Sequence, residues 1–218
     1  MKKSLLTLGM VGCLIVSFSA AAMASNISLG AFGGGQWNND LANRDDDQKV
    51  GIVLNGEYNF DKYKVGLEYL SGTQKKGKAA GSDLDFNSYE VKFGYRVFQN
   101  DQFNTDLTLG YYKESYDDQA DTKLDGVIIG ADATYQFNEK FTLSGSLGFS
   151  VNGSIDANKA AYDGNDADIL IAKIQGNYNF TDQVSGFVGY RYVNSDIDNP
   201  GDSSLTNQGA TLGVAYRF

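Results

Sequence analysis

The chain of 218 residues has no histidine, one cysteine and one proline. Without imidazole, the usual means of activating a serine or thiol nucleophile is missing. Paired aspartates could still act as bases, but no spacing singles out a pair, so no enzyme, no catalytic residue and no cofactor is expected. The one cysteine, Cys13, lies in an N-terminal leader, which leaves the remainder without disulfide or thiol chemistry. Positive charge is scarce as well. Lys and Arg number 18 against 27 Asp and Glu, for a net charge of −9, and the only basic cluster is Lys75, Lys76 and Lys78. Nucleic acid is therefore not an expected partner, because phosphate contacts need clustered cations. No apolar run after Ala24 is long enough for a membrane-spanning helix.

The leader is legible in residues 1–24. Lys2 and Lys3 supply a positive start, residues 5–16 an apolar run, and Ala22-Met23-Ala24 a small-x-small cleavage site, so the mature chain is expected to begin at Ser25. An uncleaved anchor fits less well, because the segment is short and ends in small residues. A lipoprotein site at Cys13 also fits less well, because the apolar run continues past it. Residues 25–218 then form one domain.

What this domain has is alternation. In the last twelve residues, Ala210, Leu212, Val214, Tyr216 and Phe218 form one set, and Gly209, Thr211, Gly213, Ala215 and Arg217 the other. One set is apolar and the other small or polar, which is the signature of a β-strand with one face in an apolar medium. The ending recurs at Tyr58-Asn59-Phe60, Tyr95-Arg96-Val97, Tyr135-Gln136-Phe137 and Tyr178-Asn179-Phe180, at intervals of about 40 residues, so hairpins follow one another in series.

With its last strand ending on Phe218 and carrying Tyr216, Val214 and Leu212, the chain resembles the bacterial outer-membrane β-barrel superfamily. The resemblance implies an integral protein of the bacterial outer membrane, in contact with lipid and lipopolysaccharide, after export through the inner membrane. It also implies insertion by the barrel-assembly machinery, with Leu212, Val214, Tyr216 and Phe218 as the signal read.

Ten strands are expected in a closed, antiparallel, up-and-down transmembrane barrel, with eight as the alternative. They fall near residues 26–37, 50–60, 63–71, 88–97, up to 115, 124–137, 141–152, 168–180, 184–194 and 207–218. Short turns such as Asp61-Lys62 alternate with longer acidic loops, and Pro200 sits in one of those loops, as a ladder of backbone hydrogen bonds requires. Aromatic residues fall in two bands, one at the turn end (Tyr58, Phe60, Tyr63, Tyr95) and one near the loop end (Trp37, Tyr69, Tyr89, Tyr111), as interface girdles do. A soluble sandwich or lipocalin-like barrel would reverse the faces; the girdles, the leader and the Phe218 ending argue against it. Closure follows because an open edge in hydrocarbon leaves N–H and C=O groups unsatisfied.

The inward set carries charge: Glu57, Glu68, Glu90, Asp106 and Asp132 against Lys64, Lys92, Arg96, Lys173, Arg191 and Arg217. Isolated charges are costly to bury, so these are expected to pair or to meet water. A symmetric hairpin over residues 75–85 puts Glu68 opposite Lys92, and the Asp61-Lys62 turn makes Glu57 and Lys64 diagonal neighbours. Inward residues such as Gly66, Gly94, Gly148 and Gly213 are expected to leave space. The acidic runs Asp45–Asp47, Asp163–Asp166 and Asp196 with Asp198 could offer oxygen ligands, but none has the order of a calcium loop, and turn chemistry accounts for them, so no metal is expected. The leading functional expectation is a porin-like passive channel of narrow lumen for small hydrophilic solutes or ions. The alternative is a non-conducting structural or surface-interaction barrel, adhesin-like. The oligomeric state is not written in the sequence.

Overall fold

A computed structural model describes residues 25–36, 47–75, 83–117, 121–156, 165–198 and 203–218. The expected leader cleavage, Trp37, Asp45, Asp46, Lys76, Lys78, Asp163 and Pro200 lie outside the described residues. The strands are β1 (Asn26–Gln36), β2 (Asp47–Phe60), β3 (Tyr63–Lys75), β4 (Leu84–Gln99), β5 (Phe103–Tyr116), β6 (Lys123–Gln136), β7 (Phe141–Asp156), β8 (Asn165–Asn179), β9 (Val184–Ile197) and β10 (Ser203–Arg217). Each pairs antiparallel with its neighbours in sequence, and β1 pairs with β10, so the sheet closes into a ten-stranded barrel. The alternative of eight strands is thereby excluded.

The turns are set by short polar side chains. Asp61 takes a positive φ of 54° in the two-residue β2–β3 turn, a conformation Asp tolerates better than most residues. Asn100 Oδ1 accepts the N–H groups of Gln102 and Phe103, Asn138 Oδ1 those of Lys140 and Phe141, and Thr181 Oγ1 those of Gln183 and Val184. One device thus ends three hairpins, with a side chain standing in for a backbone acceptor. The first and last described residues meet at this turn end, where the Phe218 N–H donates to the Ser25 carbonyl.

The expected outward set is outward. Leu29, Ile52, Val65, Phe93, Leu109, Leu147, Val188 and Leu212 are all exposed. At the turn end the rings form a belt: Phe60 lies 5.4 Å from Tyr63, Tyr63 5.6 Å from Tyr95, and Phe137 5.3 Å from Phe141, centroid to centroid.

Seven strands, β2, β3, β4, β7, β8, β9 and β10, run three or four residues further at the loop end than the alternation suggests. β4 and β7 have 16 residues each. At about 3.3 Å per residue and a tilt of about 40°, such a strand rises roughly 40 Å, well beyond the ~25 Å apolar band of a transmembrane barrel. The excess projects past the lipid, and there the faces swap chemistry. In β4, Asp85 and Asn87 point out and are exposed, while Phe86 points in and is buried; in β9, Asp196 is out and Ile197 in. Above the membrane the barrel is built like a water-soluble one.

One residue departs from the alternation of its strand. Asn152, inward by parity with Ser144 and Ser146, is exposed. β7 bulges here: Val127 pairs with Asn152 and Ile128 with Ser150, which leaves Val151 unpaired. The extra residue rotates Asn152 outward, where its Oδ1 accepts the Val127 N–H. On the β8 side the ladder is also interrupted, and the Ser150 hydroxyl fills in by accepting from the Ile169 N–H (2.8 Å) and donating to the Ala167 carbonyl (3.3 Å).

Candidate functional site

The inward side chains change character along the strands. Passing from the loop end to the turn end, β4 presents Phe86, Ser88, Glu90, Lys92, Gly94 and Arg96. β8 presents Ala167, Ile169, Ile171, Lys173, Gln175 and Asn177. On both strands apolar residues come first and charged or polar ones follow, so the lumen is layered.

The outermost layer is an apolar iris. Phe32, Val53, Leu70, Phe86, Tyr116, Leu124, Ile155, Ala167, Ile197 and Leu205 cluster together, one from each of the ten strands, and none is more than 4 % exposed. Phe86 stacks on Tyr116 at 6.3 Å and meets Phe32 edge-on at 6.4 Å. A fully buried Lys49 is held among them, its Nζ 4.8 Å from the Phe86 centroid, 5.0 Å from that of Tyr116 and 3.2 Å from the Tyr116 hydroxyl. Cation–π contact and a hydrogen bond thus replace part of its hydration. Beneath lie Tyr112, Ile128, Ile169, Ile171 and Val193. Sequence reasoning missed this iris, although its signal was present as residues such as Tyr112 and Tyr116 running in the opposite phase to Leu107, Leu109 and Tyr111.

The middle layer is ionic and spans the bore. Lys173 of β8 reaches Glu68 (2.8 Å) and Glu90 on the far wall, and Arg191 of β9 reaches Glu68 (3.2 Å) and donates to the Tyr112 hydroxyl (3.2 Å). Tyr112 and Tyr116 in turn donate to Glu114, which also accepts from Asn207. Nearer the turn end, Lys64 contacts Asp132 (2.6 Å), Asp106 (3.0 Å) and Glu57 (4.0 Å), while Lys92 meets Asp132 (2.9 Å) and Arg96 meets Asp106 (2.9 Å).

The expected Glu57–Lys64 diagonal is therefore present, but the Glu68–Lys92 pair is not. Glu68 stands opposite Glu90, and Lys92 opposite Gly66. The β3–β4 hairpin is offset by two residues from the symmetric pairing, which keeps every face and changes every partner. The two facing carboxylates are compensated from across the lumen by Lys173. Nor do the glycines leave space. A Cβ on Gly66 would meet Lys92 Cγ at 3.1 Å, one on Gly148 would meet Ile128 at 2.6 Å, and one on Gly213 would meet the Phe187 ring at 2.6 Å. They make room for neighbours that fill the bore.

The innermost layer is a chamber of about 550 Å³ that runs from the ionic layer to the turn end. Its floor includes Lys64, Glu68, Glu90, Lys92, Asp132 and Lys173; Arg217 stands exposed at its rim. Its walls carry amides and hydroxyls from β1, β2, β5, β6, β7 and β8. The site is thus a polar cul-de-sac, closed toward the loop end first by ion pairs and then by the iris.

Comparison with known proteins agrees with this architecture. The profile of the outer membrane protein beta-barrel domain matches residues 11–218. No curated protein matches. Among solved structures, the outer membrane protease OmpT from Escherichia coli is similar at 13 % identity and a TM-score of 0.50, covering 90 % of this chain and 96 % of that one. An outer membrane channel from Pseudomonas putida F1 is similar at 13 % identity and a TM-score of 0.51, covering 91 % and 97 %. The attachment invasion locus protein Ail of Yersinia pestis is 18 % identical over 91 % of this chain and all of that one, with a TM-score of 0.43. The likeness to the protease corrects one expectation. Barrels of this fold include an enzyme, so the missing histidine does not exclude catalysis by this one. The family match spans nearly the whole chain: it belongs to the outer membrane protein β-barrel domain family and is an integral protein of the bacterial outer membrane.

Proposed function

We propose that this protein is a sealed, non-conducting barrel that holds its loops on a rigid collar at the cell surface and keeps a water-filled chamber open to the periplasm. The observation that carries this reading is the iris, with one side chain from every strand packed into a single buried cluster. About eight strands give an interior that side chains fill, while 16–18 leave a channel. Ten strands lie near the filled end, and here the fill is apolar where a porin would be wet. The collar supports an outward-facing role, because the strands continue beyond the lipid and carry Asp85, Asp166, Asp168 and Asp196 on their exposed face. A narrow channel is the second reading. The chamber favours it, since hydrophilic solutes can already travel half the bore, but passage then requires the iris to part.

Reconstitution into planar bilayers tests the proposal. The unmodified protein is expected to give no steady conductance above the lipid baseline. A large, steady conductance would show that the iris does not seal, and the channel reading would replace this one.

A further inference from the structure

We propose that the turn-end chamber is a binding site for an uncharged, polyhydroxylated solute, a di- or trisaccharide in size, which enters from the periplasm and does not pass through. The inference goes beyond the sealed-barrel reading: it needs the chamber alone, and binding and conductance are measured separately.

Three observations converge. First, the chamber of about 550 Å³ lies within the ~300–1,000 Å³ of cavities that hold small molecules. Second, amides line it from several sides: Asn26, Asn55, Asn104, Gln136, Gln175 and Asn177. Each amide offers both donors and acceptors, as do the paired hydroxyls of a sugar ring. Third, the charges of the floor are already matched. Lys64, Lys92, Arg96 and Lys173 each have a carboxylate oxygen within 3.0 Å. A carboxylate or amine that reaches the floor must break one of these pairs or sit uncompensated beside them, whereas a neutral solute leaves them intact.

The contrast within the same lumen strengthens the case. Near the loop end the chain fills the bore with Phe32, Leu70 and Phe86. Near the turn end it places Thr142, Ser144 and Ser146 on β7 and keeps the volume open.

The test titrates the folded full-length protein, purified from outer membranes in detergent, with maltotriose, and in parallel with an anionic trisaccharide (trigalacturonate) and a cationic one (chitosan trimer), by isothermal titration calorimetry. Saturable binding of maltotriose is expected, with a Kd on the order of 1 mM, and binding of either charged sugar about tenfold weaker or less. A Ser144→Cys variant carrying a bulky maleimide fills the chamber and should lose maltotriose binding. Asp196→Cys, labelled in the same way on the outer collar, should keep it. Heat-modifiable migration on gels establishes that each variant is folded. The proposal is overturned if maltotriose shows no saturation, if binding survives the label at position 144, or if a charged sugar binds better.

Discussion

Leu147 and Ser146 are neighbours in β7 with opposite fates. Leu147 is 47 % exposed on the lipid face, while Ser146 pairs across strands with Asp132 and Lys173 and lines the chamber. Leu147→Arg should cost ~2–4 kcal/mol if it lies near the bilayer midplane. Ser146→Arg should cost much less, because the new guanidinium meets chamber water and the Asp132 carboxylate. Equal stabilities in urea unfolding from lipid vesicles, or the reverse order, would contradict the assignment of faces. Asp132 is the residue on which the lower ionic cluster turns, since both Lys64 and Lys92 reach it. Asp132→Asn leaves two ammonium groups competing for Asp106 and Glu57, and should cost about 2–3 kcal/mol, less than the ~3–5 typical of a fully enclosed pair because these groups border the open chamber. The same unfolding measurement checks this, and a variant as stable as the parent would mean that the pairs carry no net stability. At this scale parity along a strand tells which residues share a face, except where a bulge intervenes, as at Asn152. It does not disclose who pairs with whom. Lys173 and Glu68 lie on opposite walls, and only the closed barrel with its particular register brings them together.

At the scale of the element, each strand carries two alternations in opposite phase, and only one was read. Within the lipid, apolar residues point out: Tyr89, Val91, Phe93 and Tyr95 in β4. Beyond it they point in, as Phe86 does. The medium outside the wall changes from hydrocarbon to water, and the favourable face for an apolar side chain changes with it. A reading that follows one phase must end each strand at the switch, which is why 88–97 was expected where Leu84–Gln99 is found. The turn end shows no such switch, since the hairpins close at the membrane edge, and there the expected and observed bounds agree to within a residue or two. Those turns also make a prediction. Asn138 accepts two turn N–H groups, at 2.9 Å each. Asn138→Ala should lower stability by about 1 kcal/mol, the net value of one or two ordinary hydrogen bonds, whereas Asn138→Asp, which keeps the acceptor, should be nearly neutral. Refolding into lipid vesicles at graded urea concentrations distinguishes the two, and equal losses would mean that the acceptor is not what matters.

For the molecule as a whole, the lumen holds two packed layers in series, and on the sealed-barrel proposal both must part before it opens. Flow through barriers in series is limited by whichever remains. The iris joins all ten strands; the layer beneath ties β3 and β4 to β8 and β9 through Glu68, Glu90, Lys173 and Arg191. Removing the aromatics of the iris by Phe32→Ala, Phe86→Ala and Tyr116→Ala frees space above Tyr112, Glu114 and Arg191, which still fill the bore. Removing the ionic layer by Glu68→Ala, Lys173→Ala and Arg191→Ala widens the chamber and leaves the iris shut. The aromatic triple variant is also the less stable, because buried aromatics cost ~3–5 kcal/mol each when truncated, so its folding must be established first by heat-modifiable migration. In planar bilayers each triple variant alone should therefore conduct little or not at all, and the two combined should give discrete steps well above the sum of their separate effects. If the aromatic triple variant alone conducts as well as the combination, the ionic layer is no barrier and the iris is the single seal. If the ionic triple variant alone conducts, the iris breathes on its own, and the sealed state owes its closure to the ion pairs beneath.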